Sequence, residues 1–294
     1  MAITKPIKNR IWELKKEFDV LKKEKESLLT LIDDAEIPES VYNSNAIENS
    51  TLSLQETEKI LLDIAVSRDV SVREVFEAKN LARVINYIRT KSQAKEIDRE
   101  IVLLLHQMLI GGIRDEIAGR FRSKGEYVRV GTYIAPAPEH VEIMIATVLS
   151  EYESDHDSYF LDKMAKFHLN FENIHPFCDG NGRIGRVLIC YQLLRLGFPL
   201  IIIRDKEKEI YYKAFADYRD KKNAKTMEKV LSLALTESLY KRITYLRGEK
   251  IITLSEYAKK HKKSASAVSN AARRQNIPAF REKGIWKIGE NFEG

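Results

Sequence analysis

The chain has 294 residues, 44% hydrophobic and 31% charged, a balance that can bury a sizeable core and suits about two domains rather than a disordered tail. Its formal net charge is +6, yet the stretch from Tyr245 onward carries eleven Lys and Arg against five Glu, so the excess sits at the C-terminus and the rest is near neutral. Only two cysteines, Cys178 and Cys190, no signal peptide and no apolar run of membrane length exclude a disulfide framework and a membrane partner, and make a reducing cytoplasm the expected compartment.

From the N-terminus, residues 8–30 place Ile11, Leu14, Phe18, Leu21 and Leu28 on one stripe among mixed charges, which predicts an amphipathic helix with a solvated charged face. Ile37-Pro38 should break the pattern, and a short helix should carry Val41 to Asn49. Ser53-Leu-Gln-Glu56 is a capping box opening the next helix. Helical periodicity continues from Val75 and from Ile97 until Gly111-Gly112, with His106 expected in the core. The texture then changes: Gly119 to Pro138 holds β-type residues, glycines and prolines and predicts an extended or hairpin segment. Two further amphipathic helices, Val141 to Tyr152 and Met164 to Ile174, lead into the most chemically dense stretch of the chain.

That stretch runs from His175 to Arg186. It holds a general-base candidate in His175, a metal-type carboxylate in Asp179, two glycines that permit positive φ, and the guanidinium groups of Arg183 and Arg186. Gly180 and Gly182 can turn successive N–H groups toward one anion, and a helix through Val187 to Arg195 would add its N-terminal dipole. Arg183 and Arg186 share the first turn and can face the same phosphate, while Asp179 is placed for a Mg²⁺ that phosphates also ligate. Gly180, Gly182 and Gly185 also spell G-x-G-x-x-G, with Asp205 downstream where a dinucleotide fold needs an acid. A helical pattern, not a buried strand, precedes them and no second βαβ unit follows, so that reading is set aside. Cys178 reads as a small filler beside an anion site rather than a nucleophile.

With His175, Phe177, Asp179, Gly180, Asn181, Gly182, Arg183 and Arg186 in place, the stretch resembles the signature of the Fic family, H-x-F-x-[DE]-G-N-G-R-x-x-R, at every fixed position. The resemblance covers about residues 35–240 and implies a mainly α fold, a helical core with a β-hairpin flap, and transfer of AMP from ATP to a Ser, Thr or Tyr hydroxyl of a target protein. It implies that His175 is the base, that Asp179 binds Mg²⁺, that Gly180, Asn181, Gly182, Arg183, Ile184, Gly185 and Arg186 handle ATP and its phosphates, and that Phe177 anchors the loop. Val130, Gly131, Thr132 and Tyr133 match the flap that approaches the nucleotide and adds to the target peptide as a strand. Tyr211 would lie beside the adenine, with Arg219 where many relatives have Asn. Ser44, Glu48 and Asn49 spell the S-x-x-x-E-N form of an inhibitory motif, in which Glu48 would pair with Arg186 and deny ATP a productive pose. The phosphorylating Doc branch carries Lys where Gly182 stands and is disfavoured.

The basic C-terminus, residues 245–294, reads as a cap at Thr253, a helix, a turn at Lys262 to Ser264, a second helix over Ala265 to Arg274 and a small hairpin over Ile277 to Ile288. Helix, turn, helix and wing resemble winged-helix modules, with Ser264, Ser266, Ser269, Asn270, Arg273 and Arg274 facing duplex DNA or a protein partner. The expected division is therefore an N-terminal helical segment over 1–34, a catalytic domain over 35–240 whose inhibitory helix spans about 40–49, and a small α+β domain over 245–294. Competing functions are a DNA-binding regulator with a sensor-like Fic domain and an enzyme that removes AMP. Self-modification and a homodimer stay open as partnerships.

Overall fold

The computed structural model describes residues 3–93 and 95–293. Two long helices open the chain: α1 (Lys5–Leu21), with its proline in the first turn, and α2 (Glu26–Ile47). They are separated by a turn in which Glu24 has positive φ, so the expected helix over 8–30 is two helices and Leu28 belongs to the second. Pro38 lies inside α2 and does not break it. Its flanks are gripped from outside: Arg242 holds Asp33 and Glu36, and Arg204 holds Glu39, so tertiary ion pairs override the lost backbone hydrogen bond. The expected boundary between residues 34 and 35 thus falls within one continuous helix.

The helices α3 (Leu54–Leu61), α4 (Val72–Lys91) and α5 (Arg99–Ile110) follow, the first closed by the reciprocal Ser53–Glu56 capping box and the last ending at Gly111. A two-stranded hairpin, β1 (Arg129–Val130) and β2 (Tyr133–Ile134), pairs Val130 with Tyr133 across Gly131. Then come α6 (Val141–Ser154), α7 (Phe160–Ile174), α8 (Asn181–Arg195), α9 (Lys208–Lys221) and α10 (Lys225–Leu246).

Helices α7 and α8 divide their apolar residues between two cores. Phe167, Phe171, Ile174, Ile184, Val187, Leu188 and Tyr191 face one, shared with α4, α5 and α6, whereas Met164, Leu169, Ile189 and Leu193 face the other, shared with α1, α9 and α10. A helix apolar on both sides is a central helix, and the loop joining two such helices is held rigidly from both ends. That loop is residues 175–180.

The C-terminal part has its own small core around Leu254, Tyr257, Val268, Ala272, Ala279 and Ile288. The helix, turn, helix and hairpin expected there are present as α11 (Leu254–Lys260), α12 (Ala265–Arg273), β4 (Phe280–Glu282) and β5 (Ile285–Gly289), and β3 (Ile251–Thr253) adds an unexpected third strand in the order β3-β5-β4. Among the described residues no helix is long and apolar enough to cross a membrane.

Candidate active site

Helix α7 stops at His175, whose backbone is left-handed at φ 52° and ψ 63°, and this reversal turns the imidazole away from the helix axis. His175 Nδ1 lies 3.3 Å from the carbonyl oxygen of Glu172. A proton on Nδ1 donates there, which leaves Nε2 as the free acceptor. Burial pulls the imidazole down to about 4, so it is neutral at pH 7.

The loop beyond is braced from within. Asn181 accepts from the Phe177 N–H and donates to the Phe177 carbonyl, both at 2.8 Å, so its side chain is committed to the loop while its backbone opens α8. Phe177 is fully buried and stacks on His106 with ring centroids 3.6 Å apart. His106 Nδ1 accepts from the Gly119 N–H at 3.0 Å and Nε2 contacts the Asp179 carbonyl at 3.1 Å, so this core histidine ties α5, the approach to the flap and the loop together. Gly180 takes φ 79° at the N-cap of α8, where a side chain would press on Leu109 and Ile110.

The charged groups converge on the first turn of α8. Asp179 pairs with Arg73 at 2.6 Å and Arg183 at 3.1 Å, and despite burial these arginines hold its carboxyl below the usual range. Arg183 also meets Glu77 at 3.1 Å. Arg186 is buried and reaches α2: its Nε donates to Ser44 Oγ at 2.9 Å, and its Nη2 donates to the Ser44 carbonyl at 2.7 Å and to Glu48 Oε1 at 2.8 Å. Burial opposes the charge of Arg186, but Glu48 and Tyr211 more than offset it. Glu48 lies over the α8 N-terminus so closely that a Cβ on Gly182 would stand 2.1 Å from its Oε1. Asn49 ends α2 with φ 67°, the left-handed stop that Asn tolerates, and aims Glu48 inward.

The flap joins the same site. Tyr133 donates to the Asn173 carbonyl at 3.1 Å, and the Arg219 guanidinium lies 5.1 Å over the Tyr133 ring, so α9 reaches the flap rather than an open base pocket. Val130, Gly131 and Thr132 form the hairpin and its turn. Tyr211 is the clearest departure from expectation. Its ring is 1% exposed and its hydroxyl meets His168 Nε2 at 2.8 Å, so as placed it supports Arg186 and cannot stack a base. Tyr212, 45% exposed with its hydroxyl on the Ile47 carbonyl, is the accessible ring of the pair.

Several contributors were not singled out from the sequence. Arg122 donates to the carbonyls of His175, Ile174 and Pro136, fastening the flap root to the histidine; Arg73 and Glu77 build the Asp179–Arg183 cluster; Glu172 and His168 line the floor. Cys178 is half-buried, and burial raises its thiol, as suits a filler.

Residues 96–193 match the Fic/DOC family model. A protein adenylyltransferase Fic from Nematostella vectensis is 32% identical over 179 residues, 58% of this chain and 41% of the relative, so the chain spans about two-fifths of that protein's length. A Fic domain containing signaling protein from Bacteroides thetaiotaomicron superposes with a TM-score of 0.71 at 24% identity, over 82% of this chain and 97% of that one. A Fic family protein from Desulfovibrio desulfuricans superposes with a TM-score of 0.62 at 19% identity, over 97% of each chain, and shows the likeness of fold alone. The chain thus has the fold of Fic proteins, and the likeness to the Fic/DOC family lies over its residues 96–193.

Proposed function

We propose that this protein is an adenylyltransferase that moves AMP from ATP to a hydroxyl side chain of a target protein, and that Glu48 restrains it. The observation that carries the reading is the juxtaposition of His175, its Nδ1 on a backbone carbonyl, with an α8 N-terminus whose Arg186 is engaged by Ser44 and Glu48. In the reaction, His175 Nε2 takes the proton of the target hydroxyl as its oxygen bonds to the α-phosphorus, and the bond to the β-phosphate breaks to release pyrophosphate. The α8 backbone N–H groups and Arg183 cradle phosphates, and Arg186 serves the γ-phosphate once Glu48 has left.

No group of three or more His, Cys, Asp or Glu suited to a metal occurs among the described residues. The donor set still fits Mg²⁺, which asks one or two carboxylates of a protein when phosphates supply other ligands, and the ionised Asp179 at the mouth of the nest would hold it. When bound, the ion neutralises phosphate charge and orients the leaving group. The flap would add to the target backbone as a strand, and the target includes a second copy of the chain or the chain itself. Free thiols at Cys178 and Cys190 suit a reducing cytoplasm.

Labelled ATP, set against GTP, CTP and UTP, tests the reading. His175→Ala should lose about a hundredfold or more in transfer while retaining ATP binding, and an alanine variant that labels at the wild-type rate would refute the assigned base. A second activity is favoured by α12, whose Ser264, Ser266, Asn270, Arg273 and Arg274 are exposed: residues 245–294 bind duplex DNA.

A further inference from the structure

Glu172 has no part in the reaction described above, yet it lies against the reacting base. Its side chain is 10% exposed, and Oε2 lies 3.7 Å from His175 Nδ1. Oε1 is buried without a hydrogen-bond partner among the described residues, and so is Nδ1 of His168 one turn earlier. Both atoms rest on Gly185, where a Cβ would lie 2.4 Å from Glu172 Oε1 and 2.9 Å from His168 Nδ1. A buried carboxyl with an unmatched oxygen carries a desolvation cost that an apolar residue here would avoid. The groups facing it are Glu48 from α2, His168 and His175 from its own helix, Arg186 from α8, and Tyr211 and Tyr212 from α9.

We propose that Glu172 is the positioning residue of the catalytic histidine: its carboxylate stabilises the imidazolium formed when His175 Nε2 takes the target's proton. The inference rests on the transferase reading. The hydroxyl proton ends on Nε2, Nδ1 keeps its own proton toward the Glu172 backbone carbonyl and carboxylate, and no proton passes to Glu172. Burial and the neighbouring Glu48 together push the Glu172 carboxyl up to about 8, against the pull of Arg186. While Glu48 is docked, Glu172 is a neutral acid and lends His175 no charge. When Glu48 withdraws, its repulsion goes while burial and the pull of Arg186 remain, so the Glu172 carboxyl falls from its raised value, and the positive charge forming on the imidazolium 3.7 Å away draws it further toward the carboxylate, its proton passing to solvent. Glu48 therefore acts twice, by occupying Arg186 and by raising the carboxyl that faces the base.

The test is an NMR titration of the His175 ring in the full chain, comparing Glu48→Gly with Glu48→Gly/Glu172→Gln. The expected result is a midpoint about one to three pH units lower in the double variant, the scale for removing an opposite charge at this range. In the same proteins kcat should fall about tenfold with the KM for ATP unchanged, and its acid limb should move to lower pH; Glu172→Asp should recover part of both. Should Glu172→Gln not fold, the Glu172 carboxyl is titrated in wild type and Glu48→Gly, where its midpoint should fall. Equal His175 midpoints, or a Glu172 midpoint indifferent to Glu48, would overturn the proposal. Absence of AMP transfer from Glu48→Gly would instead count against the transferase reading and leave the ring titration to be judged by itself.

Discussion

Helix α2 is held by buried arginines along its length, with Arg204 on Glu39 in the middle, and the grips on either side of that one differ in kind. Toward its N-terminal half, Arg242 is 0% exposed and grasps Asp33 and Glu36, with Lys241 adding a second hold on Glu36 at 3.0 Å. At its C-terminal end Arg186 holds Glu48, whose side chain is 37% exposed. In the first grip both partners are withdrawn from water, so releasing one leaves a buried charge; in the second the carboxylate can return to solvent and phosphate oxygens can take its place. Helix α2 thus has one end held by a buried ion pair and the other by a pair open to solvent.

The largest expected effect of breaking this contrast is on folding. Glu36→Ala should cost about 3–5 kcal/mol in urea unfolding, because Arg242 and Lys241 lose a buried carboxylate, whereas Glu48→Gly should cost within about 1 kcal/mol. Equal losses at the two positions would erase the distinction.

How far such residues could be read from the chain depends on where their partners lie. His175 to Arg186 was legible because its chemistry sits in twelve neighbouring positions, and Ser44 to Asn49 because one helical turn carries it. Glu36 and Arg242 are about two hundred positions apart, and neither has a local pattern that names the other. Pro38 argued for a break because the grips on either side of it were invisible in the sequence. Tyr211 was placed at the base pocket by resemblance, but its neighbour on the helix is the exposed ring, since the face of α9 that carries Tyr211, Ala214 and Tyr218 is the one that is buried. Glu172 went unread because a carboxylate in the last turn of a helix is ordinarily solvated.

A smaller effect separates the two ends by pH. Against the cost of burial, Arg242 and Lys241 hold Glu36 at about 2 instead of the ordinary 4.5, so its contribution is full above pH 4.5 and is lost as pH falls through 2. Glu172, raised to about 8, binds its proton more tightly in the folded chain, so stability falls as pH rises from 4.5 to 8 and then levels. Glu36→Gln should flatten the acid side of a stability profile and Glu172→Gln the neutral side. A profile unchanged by either would contradict the assigned charges.

The smallest effect concerns the C-terminal part, which also touches α2. The β4–β5 turn gives the N–H groups of Lys283 and Gly284 to Glu39, and Arg281 pairs with Glu237 at 2.6 Å and Glu207 at 2.7 Å. Removing residues 245–294 would therefore strand buried carboxylates, so point changes are the cleaner probe. Arg273→Ala and Arg274→Ala should each lower the salt slope of duplex binding by about one while leaving AMP transfer alone. Unchanged DNA retention would direct α12 toward a protein partner.

The most direct measurement is the rate of label transfer from ATP by wild type, Glu48→Gly, Asp179→Ala and the double variant, on the protein itself and on a lysate. Freeing Arg186 should raise transfer by Glu48→Gly on the order of ten- to a thousandfold, and Asp179→Ala should cancel the gain. A Glu48→Gly protein no faster than wild type on either substrate would contradict restraint by α2, and a slower one would make Glu48 a participant in the chemistry, as removal of AMP requires.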